Sequence, residues 1–320
     1  MMEPSQEQEK PKQQTQNKRS TFDDPENVYP APPNSSIHFV KLPKTTLHYV
    51  KCGEGPPLVM VPATISKIEN WLALVQFMGT RFTTYFFELP GHGESTPLPE
   101  AYTGELVAEC VEDFIDALGY ESISLMGFSF GGILAMKTLF QLQDRIERVI
   151  LFGPAVTNRA MQFSKLRLFL MQIVTRIVCN NSIRRGFLSL IHNRFFNKLI
   201  ADTIKKFGNI EKNIALDEVL LEISATTLEV LTYQMREVMH LEFPELEHRF
   251  QQPCYFGMSV LDPLIDFDIT LDVVQKQFES VHIKRFDFPF HQPPKAFTFE
   301  ELMRDFSPLL ELIPKETDID

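Results

Sequence analysis

The chain has 320 residues, 44% of them hydrophobic, and a formal net charge of -11 at pH 7. This length can bury one large core, or one core and a modest second domain. The acidic balance argues against general binding of nucleic acid, which depends on cationic contacts with phosphates. The four cysteines have no C-x-x-C spacing, so neither a disulfide framework nor a metal site is predicted, and no cofactor is expected.

The N-terminal segment, residues 1–34, is rich in Gln, Pro, Lys and Glu and predicts a disordered tail, because it has too little apolar surface to bury. The first residues lack the apolar region of a signal peptide, and no apolar run approaches the roughly 18 residues that span a membrane. We therefore expect a cytoplasmic location.

From residue 37 onward, strands and helices alternate. Strands are predicted at 37–41, 45–50, 58–61, 83–88, 123–126 and 149–152, and helices at 69–78, 104–118 and 133–142. The alternation predicts crossover connections and a mostly parallel sheet flanked by helices. It resumes with strands at 254–258 and 280–286 and helices at 270–278 and 299–312. We predict one α/β domain formed by 35–155 and 251–320, with a helical insertion at 156–250.

The motif Gly127-Phe128-Ser129-Phe130-Gly131 joins an apolar strand to an apolar helix. A turn this tight needs glycines on both sides of its tip and exposes the central hydroxyl. Ser129 is therefore the candidate nucleophile. The backbone N–H of Phe130, at the start of the helix, is the candidate donor to an oxyanion.

A serine nucleophile needs a base and a carboxylate that orients the base. Of the eight histidines, His291 follows a late strand in a proline-fixed loop and is the candidate base, whereas His92 fits a structural role in a tight turn. Asp262 comes directly after the 254–258 strand and is the preferred carboxylate. Asp266 is the alternative, and Asp268 is placed to cap the next helix.

A second oxyanion donor is expected in the loop after the central strand. Pro62 has no N–H to donate, so the backbone amide of Thr64 is favoured, with that of Ala63 as the alternative. Phe128, next to the nucleophile, is a candidate substrate contact.

These motifs resemble the α/β-hydrolase superfamily, in particular its capped esterase and lipase-like members. The similarity covers residues 37–312 and includes the nucleophile elbow, the Glu88-x-Pro90-Gly91-His92-Gly93-x-Ser95 turn, the loop to Asp262 and His291-Gln292-Pro293. It implies Ser129 as nucleophile, His291 as base and acid, Asp262 as orienting carboxylate and a helical cap over the site.

The sequence departs from the family pattern at two places. Pro62-Ala63 replaces the usual His-Gly of the oxyanion loop, and Ser259 and Phe290 stand where a glycine commonly precedes the acid and the histidine. The nucleophile is serine, which disfavours the epoxide hydrolases and haloalkane dehalogenases of this fold, since those use aspartate. An esterase or thioesterase acting on a small-molecule or lipid-like ester is the leading hypothesis.

The insertion carries two further hypotheses. Its Leu, Phe and Met content, including Phe163 and Phe169, predicts contact with an apolar acyl chain, with simple packing as the alternative. Residues 159–206 contain ten Lys or Arg, among them Arg184 and Arg185, against one acid. This basic half permits peripheral contact with anionic lipid or with an acidic carrier protein. The alternative is pairing with residues 211–250, which hold nine acids and three bases.

A non-enzymatic adaptor with a hydrolase fold is the hypothesis from a different class. The altered oxyanion loop favours it, and the intact set of Ser129, Asp262 and His291 argues against it.

Overall fold

A computed structural model describes residues 34–64, 66–208, 216–244, 246–291, 293 and 296–314. The predicted tail at 1–34 lies outside these residues except for its last position. The described part contains an eight-stranded sheet in the order β1-β2-β4-β3-β5-β6-β7-β8. The strands are β1 (Ser35–Lys41), β2 (Thr46–Cys52), β3 (Pro57–Val61), β4 (Thr83–Phe87), β5 (Ile123–Phe128), β6 (Ile146–Phe152), β7 (Cys254–Ser259) and β8 (Val281–Phe286).

The sheet is mostly parallel, as the alternation of strands and helices predicts. β2 pairs antiparallel with both β1 and β4, and every pairing from β4 through β3 to β8 is parallel. The helices around it are α1 (Leu72–Met78), α2 (Gly104–Leu118), α3 (Phe130–Gln141), α9 (Phe267–Gln277) and α10 (Phe299–Leu310). The predicted mostly parallel α/β fold is confirmed.

Hydrophobic cores cover both faces of the sheet. Val59 and Val61 of β3 belong to one core, with residues of α2, α3 and α9, whereas Leu58 and Met60 belong to the other, with residues of α1 and α10. Successive side chains of a strand point to opposite faces, so a strand buried on both sides is apolar throughout. This explains why β3 shows no alternation of apolar and polar residues.

Between β6 and β7 the chain is helical. The helices are α4 (Lys165–Val178), α5 (Asn181–Ile191), α6 (Arg194–Gly208), α7 (Leu216–Glu222) and α8 (Ala225–Met239). The apolar spacing over 216–241 is divided between two of them, because the Ser224 hydroxyl accepts a hydrogen bond from the Thr227 N–H and starts α8 anew. Among the described helices, none combines the length and the apolar character needed to cross a membrane.

A buried polar network fixes the loop that follows β3. The Glu88 carboxylate accepts hydrogen bonds from the Ile68 N–H at 3.1 Å and the Glu94 N–H at 2.6 Å, and it lies 3.0 Å from His48 Nδ1. The Ser66 hydroxyl oxygen accepts from the Leu89 N–H and lies 3.1 Å from His92 Nδ1. These contacts hold the loop that carries Thr64.

His92 gives this network a pH dependence. Burial lowers the pKa of its imidazole from 6.5 to about 4. Between pH 6.5 and about 4 the unfolded chain binds a proton at His92 that the folded chain does not bind. The free energy of unfolding therefore falls as the pH is lowered from 6.5 to about 4, and His92 causes no further loss below that pH. At about 1.4 kcal/mol per pKa unit, this single group accounts for a decrease of about 3 kcal/mol.

We therefore expect His92→Asn to lose less stability than the wild type when the pH is lowered from 7 to 5. Asparagine can keep a hydrogen bond to Ser66 but has no proton to take up in this range. Urea unfolding of both proteins at the two pH values measures the difference. An unchanged pH slope would show that the His92 imidazole does not stay neutral in the fold.

Candidate active site

The turn between β5 and α3 has the strain that its sequence predicts. Ser129 has φ 51° and ψ -118° and is the single non-glycine residue with positive φ in the described part of the chain. A Cβ on Gly127 would press against the carbonyl oxygen of Gly131, and one on Gly131 would press against that of Val61. The two glycines thus let the first turn of α3 lie directly against the ends of β5 and β3.

The three side chains singled out from the sequence lie in one hydrogen-bonded line. Ser129 Oγ is 2.7 Å from His291 Nε2, and His291 Nδ1 is 2.6 Å from Asp262 Oδ2. Parallel strands end at the same edge of a sheet, so the loops after β5, β7 and β8 meet there. A serine, an imidazole and a carboxylate in this order can pass a proton from the hydroxyl to the ring while the carboxylate holds the tautomer.

Asp262 is buried and held by its own loop. The residue is 5% exposed, and its second oxygen, Oδ1, accepts from the backbone N–H groups of Leu264 at 2.8 Å and Ile265 at 3.0 Å. These two hydrogen bonds hold the carboxylate in the orientation in which Oδ2 meets the imidazole. The Gln162 side chain also donates to the Asp262 carbonyl, which links this loop to the start of the helical insertion.

The capping role predicted for Asp268 belongs to Asp266. Asp266, the alternative carboxylate, is the N-cap of α9, where its side chain accepts from the Ile269 N–H at 2.9 Å. Asp268 lies within the first turn of α9, so the prediction that it caps this helix is wrong. The helix begins at Phe267, three residues earlier than its apolar pattern indicates, and this shift makes Asp266 the cap.

Ser259 has a structural role that the sequence alone did not reveal. Its hydroxyl donates to the Phe288 carbonyl at 2.6 Å and accepts from the Leu261 N–H at 3.1 Å. It therefore joins the loop that carries Asp262 to the segment that carries His291. A glycine at this position, as is common in the family, could form neither bond.

Both predicted oxyanion donors lie at the serine. Phe130 is the first residue of α3, so its N–H has no acceptor within the helix and points out of its N-terminus. Thr64 and Ala63 both line the cavity in front of Ser129. The backbone amides of Thr64 and Ala63 therefore both stay candidates for the second hydrogen-bond donor to the oxyanion.

A cavity of about 320 Å³ opens at Ser129 and His291. Phe128 lines it, stacked on the His291 ring with 6.0 Å between centroids, and Leu74 and Ala73 line it from α1. Eight aromatic residues form part of its wall: Trp71, Phe128, Phe152, Phe286, Phe288, Phe290, Phe297 and Phe306. The cavity extends from Ser129 and His291 towards α1 and α10, on the side of the sheet opposite α2 and α3.

The helical insertion contributes less to this cavity than its sequence predicts. Of the described residues between β6 and β7, Gly153 and Leu231 line it, whereas Phe163 and Phe169 do not. Phe163 packs against the core beneath Arg167, and Phe169 is 57% exposed on the outer face of α4. This cavity therefore gives no support to the predicted contact of these two phenylalanines with an acyl chain, because apolar content alone does not tell an inward face from an outward one.

Arg184 follows the alternative in which the two halves of the insertion pair with each other. It is buried, and its guanidinium pairs with Glu229 of α8 at 2.7 Å and donates to the Cys179 carbonyl. Arg184 thus neutralises an acid of the other half of the insertion and is not available to a partner. Arg185, the next residue, is exposed.

Comparisons with known proteins agree with this fold. Residues 56–177 match the family described as the alpha/beta hydrolase fold. N-formylmaleamate deformylase of Pseudomonas putida is 30% identical over 113 residues, which are 35% of this chain and 42% of that protein. Soluble epoxide hydrolase of Corynebacterium sp. is 26% identical over 105 residues, which are 33% of this chain and 37% of that protein. The matched segment thus spans about two fifths of each relative.

A solved structure extends the likeness over most of the chain. The crystal structure of a membrane phospholipase A, a bacterial virulence factor, has a TM-score of 0.60 and 17% identity, covering 87% of this chain and 86% of that one. At this identity the likeness concerns the fold. With the family match over residues 56–177 and the strand order, it shows that the chain has the α/β-hydrolase fold. The relatives named here are hydrolases.

The two aspartates provide a matched test of the site. Asp262→Asn removes the charge beside His291 and is expected to lower kcat by on the order of 10³-fold or more. Asp266→Asn keeps a good N-cap and is expected to leave kcat within about twofold and stability within about 1 kcal/mol. Hydrolysis of a chromogenic ester and thermal unfolding measure both. A larger loss of turnover from the second variant would overturn the choice of Asp262.

Proposed function

We propose that this chain is a serine hydrolase that cleaves carboxylic esters or thioesters with an apolar acyl group. The observation that carries the proposal is the line of hydrogen bonds from Ser129 through His291 to Asp262 at the mouth of an aromatic cavity. Hydrolytic relatives support the reaction class, and the wall of the cavity supports the class of acyl group.

In the first half of the proposed reaction, Ser129 Oγ attacks the acyl carbonyl carbon while His291 Nε2 takes the hydroxyl proton. The oxyanion that forms accepts a hydrogen bond from the Phe130 N–H and a second from the Thr64 or Ala63 amide. The bond to the leaving alcohol or thiol then breaks, and the imidazolium gives its proton to that group. The product of this half is an acyl-enzyme on Ser129.

In the second half, water attacks the acyl carbon while His291 accepts its proton. The new tetrahedral intermediate collapses, Ser129 recovers its proton from the imidazolium and the acid leaves. Asp262 remains ionised throughout and stabilises the imidazolium of each half-reaction. In both halves, protons move only between Ser129, His291, the leaving group and water, while the amides donate hydrogen bonds to the oxyanion.

The chemistry of a serine nucleophile argues against epoxide hydrolysis, although a relative has that activity. Attack of a hydroxyl on an epoxide carbon would leave an ether on Ser129, and an ether has no carbonyl for water to attack. An ester carbonyl, in contrast, lets water release the enzyme.

We infer that the insertion at 156–250 acts as a cap whose α8 side closes over the mouth of the cavity. Leu231 of α8 lines the cavity. Gln162 holds the loop of Asp262. The cap thus restricts access to the site, while the aromatic wall beneath receives the acyl group.

Covalent labelling tests the proposed nucleophile. We expect a fluorophosphonate to label the wild type, and Ser129→Ala to abolish both labelling and ester hydrolysis with little change in Tm, because the hydroxyl is not part of the core. Ser189→Ala, which removes an exposed hydroxyl of α5, is the matched control and should keep both. A wild type that is not labelled and has no esterase activity would favour the adaptor hypothesis.

Substrate length tests the proposed acyl site. The value of kcat/KM for p-nitrophenyl esters should rise beyond acetate, since each buried methylene adds roughly 0.8 kcal/mol to transition-state binding. Ala73→Leu narrows the cavity and should lower kcat/KM for the longer esters while sparing acetate. Phe169→Ala should alter neither. Equal effects of the two variants, or a flat length profile, would contradict an acyl site between α1 and α10.

A further inference from the structure

The outer face of α4 is apolar. Leu166, Phe169, Leu170, Ile173, Val174 and Ile177 are between 39% and 67% exposed, and we call these six residues the α4 stripe. Their spacing of three and four residues places them on one side of the helix, within an arc of about 140° at 100° per residue. A surface helix of a globular protein normally turns such a face towards the core.

The side of α4 that faces the protein is mixed in polarity. Thr175 is the one buried residue of the helix, and its hydroxyl donates to the Gln172 carbonyl. The Gln172 side chain in turn donates to the Met239 carbonyl at the end of α8. Leu168, on the same side, packs against a hydrophobic core, whereas the α4 stripe is part of neither core.

Basic residues border the α4 stripe on both sides. On the same helical projection, Lys165 and Arg176 lie along one edge and Arg167 along the other. Lys165 and Arg176 are exposed, and neither forms an ion pair with an acidic side chain within the described residues. The surrounding segment 159–206 holds ten bases and one acid, and Arg184 is the base that Glu229 neutralises.

We propose that the α4 stripe docks the protein on an anionic lipid surface, with its apolar side chains in the boundary of the head groups and its basic edges on the anionic groups. An apolar face bordered by Lys and Arg is the pattern of helices that lie in a membrane interface. Exposed apolar residues continue on α5 and α6, with Ile183 at 46% and Phe195 at 79%. This inference extends the proposed function, because the same surface would supply esters with apolar acyl chains.

A second copy of the chain fits this face less well. A symmetric dimer through the α4 stripe would bring the basic edges of two caps together, and like charges oppose that contact. An anionic surface complements both the apolar centre and the basic edges.

The test is co-sedimentation of the full chain with vesicles of phosphatidylcholine, alone or mixed with phosphatidylglycerol. We expect binding to the mixed vesicles that weakens as salt is added. Phe169→Ser with Val174→Ser should weaken it by on the order of tenfold or more. The matched control is Phe39→Ser with Ile37→Ser on strand β1. Phe39 and Ile37 are 57% and 49% exposed, close to the 57% of Phe169 and the 56% of Val174. This control should bind as the wild type does.

Charge is tested separately. Lys165→Gln and Arg176→Gln should each weaken binding to the mixed vesicles about fivefold at low salt, and binding to pure phosphatidylcholine much less. All of these variants should hydrolyse a small soluble ester at the wild-type rate. Wild-type protein that stays in the supernatant, or stripe variants that bind like the control, would overturn the proposal. So would stripe variants that convert a dimer into a monomer, because a second copy would then cover the face.

Vesicle binding by Ser129→Ala separates this proposal from the proposed function. That variant should bind vesicles as the wild type does, because docking does not use the nucleophile. If the wild type binds vesicles but hydrolyses no ester, the docking surface stands and the hydrolase assignment fails. If the wild type hydrolyses soluble esters but binds no vesicle, the hydrolase assignment stands and the docking surface fails.

Discussion

The site depends on the close approach of the first turn of α3 to the ends of β3 and β5. A Cβ at Gly127 or Gly131 would occupy the space that backbone atoms of Gly131 and Val61 fill. Because neither glycine has a Cβ, the backbone can approach this closely, and Ser129 takes its positive φ at the tip of the turn. The proposed nucleophile and the proposed oxyanion donor Phe130 are thus placed by one packing contact, and the loops after β7 and β8 bring Asp262 and His291 to Ser129.

The proposed binding of the acyl group and the proposed contact with a lipid surface belong to different parts of the molecule. The aromatic cavity lies towards α1 and α10, so the acyl group would be bound by the α/β core and not by the cap. The cap can then present apolar residues to the outside, as the exposed α4 stripe does. An apolar sequence in a cap can therefore serve contact with a surface as well as contact with a substrate.

Much of this architecture could be predicted from the sequence, because its signals are local. Strands buried on both faces are apolar throughout, and the elbow needs glycines at fixed positions. The positions of Phe163 and Phe169 could not be predicted, since the side of a helix that faces inwards depends on its packing partners. For the same reason the sequence left open whether Arg184 pairs within the insertion. Ser259 was missed because one of its hydrogen bonds joins segments that are 29 residues apart in the chain. Asp266, and not Asp268, caps α9, because apolar spacing locates a helix end only to within a few residues.

The most direct test of the central claim is a crystal structure of the chain after reaction with a long-chain alkyl phosphonate. The account predicts a phosphorus bonded to Ser129 Oγ, a phosphoryl oxygen within hydrogen-bond distance of the Phe130 N–H and the alkyl chain between Trp71 and Phe306. A phosphonate on another residue, or an alkyl chain among the helices of the cap with the aromatic cavity empty, would contradict it.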